Sequence, residues 1–212
     1  MLDSHLRKVI DPILNRWGRA LAALGWSPDG VTMLGLGLGL VSAALLALGM
    51  PGLLALIPLL AGRVADGLDG AVARATRKSD FGGYLDIVAD FTFYAAVPMA
   101  FVLRDPGVNA VAGAFLLASF YVNGASFLGY ALLAEKAGIE TRAQGEKSLY
   151  YANGILEGAE TILFFSAFCL WPGAFAPLAW VFGVLCVLTA VLRVRAARRI
   201  FGATSSKTAP QP

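Results

Sequence analysis

The chain has 212 residues, 58% hydrophobic and 15% charged, with mean hydropathy +0.68 and a formal net charge of +3. Soluble domains run about 45–50% apolar and about 25% charged, so an ordinary water-soluble domain is excluded, as is a disordered, collagen-like or disulfide-stapled chain. The balance points to an integral membrane protein, and nothing in it points to nucleic acid.

Residues 4–24 come first. Leu6, Val9, Ile10, Ile13, Leu14, Trp17, Leu21 and Leu24 recur at three- and four-residue steps, with Arg7, Lys8, Asn15, Arg16 and Arg19 elsewhere on the wheel. This spacing predicts an amphipathic helix. Two placements suit it: in the membrane interface with its basic face toward headgroups, or as a cap packed on the helices that follow. The stretch is too polar for a signal core and has no small-residue cleavage site, so no cleavable signal is expected.

A spanning helix needs about 20 largely apolar residues. Six such runs follow, at residues 31–49, 53–74, 83–103, 109–134, 150–170 and 177–194, with turn or charge signals between them. The second and third runs carry several carboxylates, which weakens their hydropathy. The two cysteines, Cys169 and Cys186, lie in apolar stretches and read as packing residues. The tail at 202–212, of Ala, Thr, Ser, Pro and Gln, is predicted disordered. The expected architecture is an all-α membrane protein of one domain, residues 1–201, with six spans after an interfacial helix.

Six spans place both termini on one side. That side collects Arg7, Lys8, Arg16, Arg19, Arg74, Arg77, Lys78, Lys136, Arg142, Lys147, Arg193, Arg195, Arg198, Arg199 and Lys207. The other side receives only Arg104, while Arg63 sits inside a span. The bias predicts cytoplasmic termini.

A charge near the bilayer centre costs at least about 2.5–3.5 kcal/mol, so ionisable residues within spans are functional candidates. Asp66 and Asp69 share one face of the second span at i, i+3, and Asp86 and Asp90 share one face of the third at i, i+4. A short connector joins the two spans, which predicts antiparallel neighbours with four carboxylates at one depth near the cytoplasmic surface. Such a group needs cations. Hard oxygen donors without His or Cys suit Mg²⁺, Mn²⁺ or Ca²⁺, and two such ions suit displacement at phosphorus. Pairing with Arg63, Arg74 and Arg77 is the alternative, but these are too few and too far to one side to neutralise all four. Gly70, Ala71 and Ala73 leave a bare surface, for a flat ligand or for helix packing. Arg74 can reach a phosphate or anchor the helix at the boundary.

The run Asp66-Gly67-Leu68-Asp69-Gly70-Ala71-Val72-Ala73-Arg74, followed by Gly82, Asp86 and Asp90, fills all eight fixed positions of D-x-x-D-G-x-x-A-R-x(7)-G-x-x-x-D-x-x-x-D. By this motif the chain resembles the CDP-alcohol phosphotransferase family, and the six-helix layout resembles it over nearly the whole length. Ser27-Pro28-Asp29-Gly30-Val31-Thr32 is similar to the family's turn at the start of its first span. The resemblance implies transfer of a phosphoryl-linked group from a CDP-alcohol to a second alcohol with release of CMP, by a homodimer. It implies Asp66, Asp69 and Asp86 as ligands of two Mg²⁺ or Mn²⁺ ions, and Asp90 as general base and further metal contact. It also implies Asp29, Thr32, Gly70, Ala73, Arg74 and Ser79 as nucleotide or phosphate contacts.

The 212-residue length favours the short family members, which take CDP-diacylglycerol and a small polar alcohol, over the longer choline and ethanolamine enzymes. In the fifth run, Glu157 and Glu160 share a face. The segment resembles the Glu-Arg-Pro-Glu-Arg stretch of bacterial phosphatidylinositol-phosphate synthases, with both arginine positions replaced, by Gly158 and Thr161. This favours an unphosphorylated alcohol. Lys147 and Arg142 keep a phosphorylated acceptor open, and structural hydrogen bonding of the glutamates is the bland alternative. A small ion or proton transporter also accounts for buried carboxylates, but gives no reason for Gly70, Ala73 and Arg74 at their spacings.

Overall fold

Helix starts follow directly from local sequence. Ser27, Ser79 and Asp105 each precede a helix and accept a hydrogen bond from the backbone N–H three residues on, at Gly30, Gly82 and Val108. Pro28 and Pro106 occupy the first turn, where no intrahelical N–H is required. A computed structural model describes residues 2–138 and 158–202, with side chains from residue 10 onward. It contains α1 (Leu2–Ala23), α2 (Pro28–Ala47), α3 (Gly52–Ala75), α4 (Asp80–Arg104), α5 (Pro106–Lys136), α6 (Gly158–Leu170) and α7 (Phe175–Phe201), with a 3₁₀ turn at Pro172–Ala174. Regular structure among the described residues is wholly helical.

The elements fall where periodicity and apolar run length place them, but α2, α4 and α5 each begin three residues early at their caps, and α7 is extended at both ends. α2 begins at Pro28 rather than 31 because the Ser27 cap and Pro28 start it early. α7 runs to Phe201 rather than 194, carrying Arg198 and Arg199 into its last turn, where they complement the helix dipole. Residues 150–157 of the fifth predicted span lie outside the described residues, as does the tail from 203.

Four helical stretches among the described residues are long and apolar enough to cross a membrane: Pro28–Ala47, Asp80–Arg104, Pro106–Lys136 and Pro172–Phe201. Arg63, Asp66 and Asp69 interrupt the apolar run of α3, and α6 is described over only 13 residues. The outer faces of the long helices are apolar, with Met33, Val41, Ile57, Val111, Val181 and Val184 all exposed. Side chains of this kind belong in lipid, and the chain is an integral membrane protein.

α2 is the common neighbour of α3 and α4, and α5 packs on α7 and α4. Lipid tails are as apolar as Leu, so dense packing rather than expulsion from water holds such helices together. Phe93, Phe101, Phe165, Phe168, Phe175 and Phe182 are fully buried in one core. Phe101 stacks on Phe175 at 4.5 Å, and Phe182 on Phe164 at 4.3 Å. The α2–α3 crossing depends on glycine: a Cβ on Gly62 would come within 2.8 Å of the Gly35 carbonyl oxygen. That approach brings the two helices close enough for Ser42 to donate to the Ala55 carbonyl at 2.8 Å.

α1 packs on α3. Leu14, Leu21 and Ala22 join a buried cluster of Val31, Ala65, Leu68 and Val72. The cap placement is therefore realised for one face of the helix. Among the described side chains, Ile10, Ile13 and Trp17 of this helix, and Leu24 just past its end, are exposed.

Candidate active site

Asp66 and Asp69 lie in the last turns of α3, and Asp86 and Asp90 in the first turns of α4. α3 and α4 each pack on α2 and face one another across a gap that their side chains bridge. The space left between them holds the carboxylates. One oxygen each from Asp66, Asp69 and Asp86 lies within 4.8 Å of the other two. Asp69 is buried, and the Thr32 hydroxyl from α2 donates to its Oδ2 at 2.6 Å.

Asp90 falls outside this three-oxygen group. Its Oδ1 accepts a 2.8 Å hydrogen bond from Arg63 Nη1, which lies 3.5 Å from Asp66 Oδ1. The Arg63 side chain is 8% exposed, and its guanidinium sits 4.0 Å from the centre of the Phe93 ring. The pairing of Arg63 with Asp66 foreseen from their spacing is present. The stronger bond, to Asp90 across the gap between helices, had no local signal.

One guanidinium does not balance four carboxylates. The three convergent, oxygen-only ligands fit a divalent metal ion of the hard class, since a carboxylate cluster this close is strongly self-repelling without one.

Beside the carboxylates is a cleft of about 220 Å³. Asp29, Thr32, Gly70, Ala73, Arg74 and Ser79 all line it with Asp69 and Asp86, so the expected nucleotide contacts share one wall with two of the expected metal ligands. The Ser79 hydroxyl oxygen also caps α4, accepting from Gly82 N–H at 2.9 Å. Gly82 is small for a reason: an added Cβ would lie 3.0 Å from Ser79 Oγ and 3.2 Å from Asp29 Oδ1. Arg77 and Lys78 line the cleft too. From the sequence Lys78 marked only orientation and Arg77 orientation or a carboxylate partner, although their place just past Arg74 was the available signal.

Of the expected acceptor contacts, Glu160 is partly buried in the first turn of α6, while Glu157, Lys147 and Arg142 lie outside the described residues. Arg193, counted from the sequence only among the cytoplasmic-side cations, has a structural role as well. It is buried, and its Nη1 lies 2.9 Å from Asn123 Oδ1 and 2.7 Å from Ser126 Oγ, tying α7 to α5. A guanidinium inside an apolar bundle needs such acceptors, and α5 supplies them.

The profile described as CDP-alcohol phosphatidyltransferase matches residues 26–192. The chain belongs to this family. It is accordingly a phosphotransferase enzyme, and the transporter reading of the carboxylates is set aside. Inner membrane protein YnjF of Escherichia coli (strain K12) is 47% identical over 194 residues, 92% of this chain and 94% of that protein. Archaetidylinositol phosphate synthase of Pyrococcus horikoshii is 41% identical over 88 residues, 41% of this chain and 46% of that protein. Among solved structures, Mycobacterium tuberculosis phosphatidylinositol phosphate synthase with CDP-DAG bound aligns with a TM-score of 0.72 at 23% identity, covering 94% of this chain and 100% of that one. The same synthase in complex with manganese and citrate aligns with a TM-score of 0.69 at 23% identity, covering 92% of this chain and 93% of that one. These transferases share a helical fold with the present chain.

Proposed function

We propose that this family member transfers the phosphatidyl group of CDP-diacylglycerol to the hydroxyl of a small polar alcohol, releasing CMP. The observation that carries the reading is the meeting of Asp66, Asp69 and Asp86 at the edge of a cleft whose wall combines small and basic residues. CDP-diacylglycerol as donor draws support from the solved synthase with CDP-DAG bound. Asp66, Asp69 and Asp86 would hold two Mg²⁺ or Mn²⁺ ions. Such ions neutralise charge on a pyrophosphate and clamp an in-line displacement at phosphorus.

The residues divide the remaining work. Gly70 and Ala73 let the cytosine ring lie close to the α3 backbone, with Asp29, Thr32 and Ser79 offering polar contacts around it. Arg74 faces a phosphate, and Arg77 and Lys78 offset the charge of departing CMP. Asp90 accepts the proton of the attacking hydroxyl. Its Oδ1 is occupied by Arg63, which holds the carboxylate in one orientation and leaves Oδ2 for the proton. The hydroxyl oxygen bonds to the phosphorus that bears the diacylglycerol, the bond from that phosphorus to the CMP oxygen breaks, and the proton remains on Asp90.

In the same reading the protein has six spans in a single membrane domain, residues 1–201, with both termini and the active site on the cytoplasmic side. It works as a homodimer in a bacterial inner membrane. α1 lies in the interface with Ile10, Ile13, Trp17 and Leu24 toward lipid, which accounts for their exposure beside a packed opposite face. The donor enters sideways and its acyl chains stay in the bilayer.

For the acceptor, Glu157 and Glu160 suit hydroxyls or an amine and repel phosphate, which favours a polyol such as inositol or an amino alcohol. A phosphorylated acceptor, glycerol 3-phosphate or inositol phosphate, is the second reading. It is favoured by Arg77 and Lys78 in the cleft and by relatives named for phosphate-ester products. Incubation of purified protein with CDP-diacylglycerol, Mg²⁺ and a panel of both alcohol types, with CMP release as the signal, tests donor and acceptor together. No CMP from any pairing would overturn the proposal.

A further inference from the structure

α1 precedes the stretch that matches the family, residues 26–192, yet it packs on α3 and bonds to Arg74, a residue that lines the cleft. Gly18 makes the approach feasible: a Cβ there would lie 2.6 Å from Ala71 Cβ and 2.8 Å from the Ala71 carbonyl carbon. Leu14 and Leu21 pack on either side of this contact, against Ala65, Leu68 and Val72. The helix is therefore held in register against the last turns of α3, where the motif ends.

That register sets Asn15 beside Arg74. Asn15 Oδ1 accepts from Arg74 Nε at 3.1 Å and from Arg74 Nη2 at 2.9 Å. Two donors on one edge of a planar guanidinium, both directed at one oxygen, set the direction of the whole group. The remaining nitrogen, Nη1, lies on the Gly70 side, 3.4 Å from where a Gly70 Cβ would be. Gly70 and Arg74 both line the cleft. Asn15 thus engages the outer edge of Arg74 and leaves its inner nitrogen over the cleft wall. Arg74 is exposed, and a lone exposed hydrogen bond adds little to folding stability. Its consequence here is orientation of a long side chain that otherwise samples many rotamers.

We propose that Asn15 is a positioning residue for Arg74, holding its guanidinium ready for a phosphate of the CDP-linked donor and making α1 part of the donor site. The inference rests on Arg74 contacting that phosphate. Asn15→Leu keeps the side-chain volume and removes the acceptor. Purified full-length protein in detergent micelles with Mg²⁺ is titrated with CDP-diacylglycerol, and its thermal midpoint is recorded alongside.

Asn15→Leu is expected to weaken donor binding roughly two- to tenfold, the range for losing a typical solvent-exposed hydrogen bond, with a midpoint within about 3 °C of the parent. Asn15→Gln retains a carboxamide oxygen that the flexible Arg74 can follow, and should recover most of the loss. In an Arg74→Ala background, Asn15→Leu should cost nothing further, because two residues acting through one contact are not additive. Parental donor affinity in Asn15→Leu, a glutamine variant as weak as the leucine one, or a loss that adds to that of Arg74→Ala would each overturn the role of Asn15. If Arg74→Ala itself left donor affinity unchanged, the phosphate-contact reading would be what had failed.

Discussion

Thr32→Val is the most direct test of how Asp69, one of the three proposed metal ligands, is held. Valine matches threonine in shape and removes only the hydroxyl. The bond it removes is short, 2.6 Å from Thr32 Oγ1 to Asp69 Oδ2, and both residues are buried, at 6% and 7% exposure. Solvent therefore screens it little, and a hydrogen bond to an ionised group of this kind contributes about 1.5–3 kcal/mol. Part of that appears as fold stability. The part that concerns function is orientation: with the hydroxyl gone, Asp69 is free to rotate away from Asp66 and Asp86. Loss of such an outer partner typically weakens metal binding about 10–100-fold. The assay is Mn²⁺ dependence of CMP release at saturating CDP-diacylglycerol, with the metal concentration for half-maximal rate as readout. Thr32→Ser keeps the hydroxyl and should stay within about threefold of the parent. If Thr32→Val gave the parental metal dependence, Asp69 would not be a ligand oriented by Thr32, and the hydrogen bond would be only a helix-packing contact.

Asparagine at Asp66, Asp69 or Asp86 removes one charged oxygen from the three-residue group and should abolish most metal-dependent turnover. Excess chelator should stop CMP release in the parent protein, and full activity in chelator would refute the metal claim. Asp90→Asn should keep CDP-diacylglycerol binding while turnover falls by about 10²–10⁴, the usual contribution of a positioned base. Near-normal turnover would remove Asp90 from the chemistry. Arginine at both Gly158 and Thr161 should shift preference toward a phosphorylated alcohol, measured as the ratio of CMP release with inositol phosphate to that with inositol. An unchanged ratio would detach these positions from the acceptor site. Reporter fusions at the N- and C-termini should both report the cytoplasm, and opposite locations would sink the six-span topology.

What the sequence determined by itself is what repeats locally or costs too much to be accidental. Apolar run length located the helices, because a helix in lipid needs a fixed number of apolar residues to span it. Caps and proline explain where α2, α4 and α5 begin, since those bonds close over three residues. The aspartates of α3 and α4 stood out because charge within an apolar run is expensive, and their spacing carried the family resemblance. Partners across helices were beyond such reading. Thr32 and Asp69 are 37 positions apart, Arg63 and Asp90 are 27, and Asn15 and Arg74 are 59. Nothing in a local period encodes those pairs. They arise from which helix faces meet and how closely, and that depends on packing: Gly35 against Gly62 draws α2 onto α3, and Gly18 against Ala71 draws in α1. The same dependence set α2 against both motif helices, leaving between them the gap in which the carboxylates converge. It also made Arg193, which the sequence marked only as a cation of one membrane side, a buried tie between α5 and α7. A side chain's charge is legible in one dimension, but its partner is a matter of distance, and distance belongs to the tertiary structure.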